Sequence, residues 1–328
     1  MSTIPETDPL KPPPGVILLH SPQLIAWVLP YGARLMQLWW RAAPGGPRPL
    51  TLGYADPASY RQDRMSLGAV CGRYANRLDG ARLAQGGQTW RLDANHPLGH
   101  CLHGGAAGFG QRDWTVAPAQ DSSQVTLLLD SAAGDMGFPG RCQAQVVYRL
   151  EGASLVWQAQ ASLDRPSPVN LLQHSYWNLD ASGHLRGHHL QADALAWLPT
   201  DARELPLPAQ PTAGSTLDFH AGRALTAADT ALDAALVLTP PATGLRRVAR
   251  LAVADLALTL STDRPLLHLY GAGGLQPTAQ PLGAAHTAGA ALCLETEDLP
   301  NGPALGADVW YGPQRDYSHA MRLDFTTP

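Results

Sequence analysis

The chain has 328 residues, 23 of them basic and 27 acidic, for a formal net charge of −4. Apolar residues make up 45%, enough for a large core, and charged residues only 15%, against a usual ~25%. A weakly charged, mildly acidic surface argues against nucleic acid and anionic membrane as partners, and no apolar run approaches the ~20 residues that span a bilayer.

In chain order, the opening MSTIPETDPLKPPP lacks the basic and apolar stretches of a secretory signal. Residues 1–14 are expected to form an extended or mobile N-terminal extension. Strands are predicted over Val16–Leu19, Leu24–Leu29 and Arg34–Trp40, then a short helical turn over Asp56–Arg61 and a strand over Gln88–Leu92. Ser123–Asp130, Arg141–Leu150 and Ser154–Asp164 alternate apolar and polar residues with period two. The proline-rich stretch Pro199–Pro211 reads as a surface loop rather than a linker. Alanine-rich Ala221–Leu238 lacks a sustained helical period and reads as irregular chain. Further strands are predicted over Leu256–Ser261, Leu266–Tyr270 and Ala291–Glu295.

Thirty-two glycines and 29 prolines, with Asn and Asp, punctuate these runs. So many short strands exceed a seven-strand sandwich. They predict an all-β fold, a large antiparallel β-sandwich of two twisted sheets, formed by residues 15–328 as one domain. Cys71, Cys101, Cys142 and Cys293 form no C-x-x-C pair, and they read as small buried residues in a reducing cytoplasm.

No P-loop, GxGxxG or HExxH motif occurs, so the 12 histidines are where proton chemistry is sought. His184, His188 and His189 cluster locally in GHLRGHH, which reads as an exposed glycine-rich loop rather than a metal site. Four stretches concentrate polar, ring-bearing and glycine residues: Gly68–Gly80, His100–Trp114, Pro168–Leu179 and Leu292–Asn301. His103 precedes Gly104 and Gly105, either as a loop histidine or as a ligand-binding one. His174 lies among Leu171, Leu172, Tyr176 and Trp177, which suits a core histidine as well as a proton carrier. Glu295 ends an apolar strand, where a carboxylate needs a partner or a job.

Taken together, these stretches resemble the aldose 1-epimerase (galactose mutarotase) family. GRYANR at Gly72–Arg77, LHGG leading to Gly108–Phe109, GFPG at Gly137–Gly140, HSYWNL at His174–Leu179 and ETEDLPN at Glu295–Asn301 carry the resemblance, which spans roughly residues 15–325. It implies a supersandwich of the galactose mutarotase type and interconversion of sugar anomers. It implies Glu295 as general base and His174 as general acid, with Arg77, Asn76, His103 and Asp233 binding the sugar. Two departures stand out. The family's aromatic-Asp-His-Asn stretch reads Leu232–Asp233–Ala234–Ala235 here, and the glutamine of ETQ is Glu297. Residues i and i+2 on a strand share a face, so Glu297 is expected to raise the Glu295 pKa or bind a different hydroxyl.

Inverting an anomer requires the C1 hydroxyl to lose a proton and the ring oxygen to gain one. Glu295 is expected to be ionised at neutral pH and His174 to hold a proton beside it. No cofactor or metal is needed, and the expected partner is a small monosaccharide. Trp177, Trp114 and Phe109 are read either as core or as faces that stack on the sugar. The rival readings are a non-catalytic carbohydrate-binding sandwich, a hexose-phosphate mutarotase, for which the single lysine Lys11 is poor support, and a glycoside hydrolase built on Glu295 and Asp233.

Overall fold

The computed structural model describes residues 8–118, 121–239 and 244–327; residues 1–7 of the predicted extension lie outside it. The strands with the clearest alternation build the larger layer. Gln124–Ser131, Cys142–Glu151 and Ser154–Leu163 form a meander, each alternating buried and outward residues. They belong to a nine-stranded antiparallel sheet that continues through Tyr317–Thr326, Ala257–Thr262, Arg246–Ala252 and His189–Ala192. One face meets the core and the other meets water, which is what period-two alternation encodes.

The second layer reads differently because it is covered on both sides. Leu24–Leu29 and Arg34–Trp40 are buried along their whole lengths, as is Leu292–Glu297. The first two lie in a four-stranded sheet. Leu292–Glu297 lies in a six-stranded sheet ordered Tyr176–Trp177, Leu292–Glu297, Leu266–Tyr270, Asp233–Leu238, Ala194–Leu198, Gln210–Pro211. Hydrogen bonds from Leu52 N to Tyr176 O and from Asn178 N to Leu50 O, both 2.9 Å, join these two sheets. The main core fills the space between the layers, with Trp157, Tyr148 and Leu260 from one side and Leu236, Leu267 and Leu294 from the other. This is the large antiparallel sandwich that the sequence predicts.

Two local expectations change. Ala221–Leu238 is not irregular: it holds a 3-10 turn, Ala227–Ala231, capped by Thr226 and Asp229, and then the strand Asp233–Leu238. Pairing with strands on both sides, not alternation, makes it a strand. The turn predicted over Asp56–Arg61 is a 3-10 helix over Pro57–Gln62. All four cysteines are buried and free. Among the described residues, no helix is long and apolar enough to cross a membrane.

A buried ion pair shapes one wall of the cleft described below. Arg34 Nη1 donates to Asp63 Oδ2 at 2.7 Å and to Leu67 O at 2.8 Å, both side chains being fully buried. Asp63 in turn accepts from Met65 N and Leu67 N, which fixes the path of residues 63–67. Arg34→Met leaves the Asp63 carboxylate buried without its cation. It is expected to cost about 3–5 kcal/mol in urea unfolding, and adding Asp63→Leu should recover part of the loss.

Candidate active site

Register across the six-stranded sheet sets the floor of one cleft. Directly paired residues on antiparallel strands share a face. Tyr176 pairs with Cys293, Cys293 with Tyr270, and Tyr270 with Asp233, giving one row. Two residues along, Glu295 pairs with His268, and the chain before the edge strand places His174 Nε2 3.4 Å from Glu295 Oε1. Glu297 points to the same side one step further, as the i, i+2 relation requires.

Loops roof this floor. Arg77–Leu78 pairs with Cys101–Leu102, so the GRYANR and LHGG segments arrive together. Asn76 N donates to His103 Nδ1 at 3.2 Å and His103 N donates to Asn76 O at 3.1 Å. The glycine after His103 is required there: Gly104 has φ +87°, and a Cβ would lie 2.0 Å from Gly72 O. The resulting cleft, of about 210 Å³, is lined by all six residues that the sequence singles out: Asn76, Arg77, His103, His174, Asp233 and Glu295.

The floor is buried: His174, His268, Glu295 and Glu297 are each less than a tenth exposed. Burial pushes the Glu295 carboxyl up to about 8, against the attraction of His268, with Glu297 and Asp233 adding to the rise. Glu297 thus acts on Glu295 in the expected direction. It does not reach for a sugar hydroxyl: it is fully buried, with Oε1 3.4 Å from His268 Nδ1. Burial also takes His174 down to about 4. Burial therefore disfavours the charged form of both partners and opposes the ion pair that their ordinary values suggest. The cause is desolvation: Glu295 Oε1 is buried and has no hydrogen-bond partner among the described residues. Burial, together with the neighbouring His174, Arg77 and His268, holds His103 well below the ordinary imidazole value. Since its Nδ1 accepts from Asn76, a neutral His103 presents Nε2–H as a donor.

Arg77 donates to Asn76 Oδ1 and pairs with Glu204 of the Pro199–Pro211 loop. Asp233 Oδ1 lies 2.7 Å from His268 Nε2, a bond that lowers the Asp233 pKa in spite of burial. Cys293 Sγ is 3.6 Å from His174 Nδ1, which leaves Nε2 for the cleft. His174, Cys293 and Glu295 also hold donor atoms within 4.8 Å of one another. Burial raises the Cys293 thiol pKa well above its ordinary value.

Sequence reasoning assigned no site role to the other lining residues, among them Arg64, Met65, His268, Tyr270 and Tyr176. His174 stacks on Tyr176 at 5.2 Å between ring centroids, and the Tyr176 hydroxyl donates to Met65 O at 2.7 Å. Trp177, Trp114 and Phe109 belong to the core instead and do not line the cleft. The GHLRGHH reading is corrected as well: His188 is fully buried, its Nε2 accepting from Leu179 N at 2.9 Å, and His189 begins a strand.

A family model described as aldose 1-epimerase matches residues 15–324. The aldose 1-epimerase of Escherichia coli K12 is 32% identical over 326 residues, 94% of each chain. The galactose mutarotase of Mus musculus is 33% identical over 205 residues, 62% of this chain and 59% of its own. The crystal structure of an aldose epimerase homologue from C. elegans superposes with a TM-score of 0.88 at 27% identity, over 95% of this chain and 99% of that one.

Proposed function

Because the chain belongs to the aldose 1-epimerase family, we propose that it interconverts the α and β anomers of free aldoses such as glucose or galactose, residues 15–328 acting as one catalytic unit. The observation that carries this reading is the buried, unpartnered carboxylate oxygen of Glu295 facing His174 Nε2 across 3.4 Å, at the bottom of a cleft lined with hydrogen-bonding groups. Four buried free cysteines support a reducing, cytoplasmic setting.

In this mechanism Glu295 takes the proton of the C1 hydroxyl while His174 gives one to the ring oxygen. The C1–O5 bond breaks and leaves an aldehyde. Rotation about C1–C2 offers the other carbonyl face. Closure then runs the transfers backwards: Glu295 returns its proton to O1 and His174 recovers one from the C5 hydroxyl. Both half-reactions redistribute a single proton over the pair. The competent state is thus the singly protonated pair, whichever residue holds the proton before the sugar binds. His103 and Arg77 donate to sugar oxygens and Asp233 accepts from a hydroxyl.

Polarimetry on freshly dissolved α-glucose and α-galactose tests the activity. Relaxation of at least one sugar should accelerate in proportion to enzyme concentration, and failure with every aldose tried would refute the reading. The proton count makes a second prediction. Below about 4 His174 gains a second proton for the pair, and above about 8 Glu295 loses the only one. The kcat/KM profile should be a bell with limbs near those values. An activity still rising at pH 10 would contradict it.

A further inference from the structure

We propose that His268 and Glu297 are a positioning pair, in which buried Glu297 holds the imidazole of His268 and His268 aims the Asp233 carboxylate at the sugar. The inference rests on the epimerase reading and adds two residues that take no part in the proton transfers above.

The geometry is a chain of three side chains on three adjacent strands. Glu297 Oε1 is 3.4 Å from His268 Nδ1, and His268 Nε2 is 2.7 Å from Asp233 Oδ1. Each ring nitrogen faces a carboxylate; Nδ1 also lies 3.4 Å from Asn76 Nδ2, which donates to Glu297 Oε1 at the shorter 3.3 Å. A carboxylate only accepts, so an imidazole satisfying both must donate from both, which means it carries a proton on each nitrogen. Asn76 Nδ2 gives Glu297 Oε1 one further bond, at 3.3 Å, and Glu297 Oε2 has no partner among the described residues. A fully buried carboxylate with so little company needs a cation, and His268 is the one in contact with it. The other groups facing His268 are Glu295 on the paired strand, with His174, His103 and Arg77 across the cleft. Burial opposes the charge on His268, but the bonds to Asp233 and Glu297 outweigh it and hold its pKa well above the ordinary imidazole value.

Asp233 needs such a holder. Its side chain is 51% exposed at the start of a strand, where an unbuttressed carboxylate is free to turn. With Oδ1 fixed by the imidazolium, Oδ2 is left for a sugar hydroxyl. Glu297 therefore stands where the family's glutamine stands because the ring beside it is a histidine that has to stay charged. A glutamine there offers no charge to keep it so.

Two measurements test the pair. In the wild type, imidazole NMR shifts of His268, assigned by their loss in His268→Gln, should remain those of the doubly protonated ring through pH 8; ordinary titration near pH 6.5 would overturn the proposal. In Glu297→Gln, the His268 pKa should fall into the ordinary range. KM for the aldose should then rise about tenfold at pH 7.5, the scale of one charge-assisted hydrogen bond, with kcat within roughly threefold. At pH 5, where His268 is protonated in either protein, the two KM values should converge, and Glu297→Asp should restore part of the loss at pH 7.5. A KM change of equal size at both pH values, or none, would overturn the proposal. Absence of anomerase activity in the wild type would instead refute the epimerase reading, and the NMR titration would still decide the pair.

Discussion

Glu295→Gln is expected to lower kcat for anomer exchange by ~10²–10⁴, with the fold retained and KM little changed. The substitution keeps the shape of a buried side chain and removes its ability to take or give a proton. It also removes a buried carboxylate whose Oε1 has no hydrogen-bond partner among the described residues, so little stability is expected to go with it. A loss in kcat without a loss in stability separates a working carboxylate from a structural one. Thermal unfolding measured beside polarimetry makes that separation.

His174→Asn is expected to fall by a similar ~10²–10⁴. Asparagine can keep a polar atom near the Nδ1 position, beside Cys293, but has nothing to place where Nε2 faces Glu295. Ring opening then lacks the donor to the ring oxygen, and ring closure lacks the acceptor. The acid limb near 4 should also move up toward the Glu295 value of about 8, because Glu295 alone must then be ionised to take the proton. A limb that stays near 4 in His174→Asn would assign it to another group.

Much of the fold was legible because alternation records which side of a sheet is wet. Cys142–Glu151 and Ser154–Leu163 lie within a residue of their predicted limits for that reason. Where both faces are covered, alternation disappears and neighbours decide. Asp233–Leu238 read as irregular although it sits inside a sheet. Tyr317–Thr326 is a different case: it alternates as clearly as Cys142–Glu151 and yet is absent from the predicted strands.

The site divides along similar lines. The six residues implied by the resemblance all line one cleft, although they come from segments as far apart as residues 76 and 295. His268 had no such signal. In LLHLY it is a single histidine in an apolar strand, and only its pairing with Glu295 and the reach of its ring to Asp233 bring it into the cleft. Protonation was illegible for a physical reason as well. Ordinary pKa values describe groups in water, and both Glu295 and His174 are buried, so desolvation disfavours the charge that each would carry in solution.

The most direct test of the shared-proton pair is the rate of α/β exchange, measured by magnetisation-transfer NMR on equilibrated glucose or galactose, for wild type, Glu295→Gln, His174→Asn and the double variant. Residues that act as one unit lose their contribution together, so the double variant should be about as slow as either single one. Losses that multiply in the double variant, or a single variant that exchanges anomers at the wild-type rate, would contradict the account.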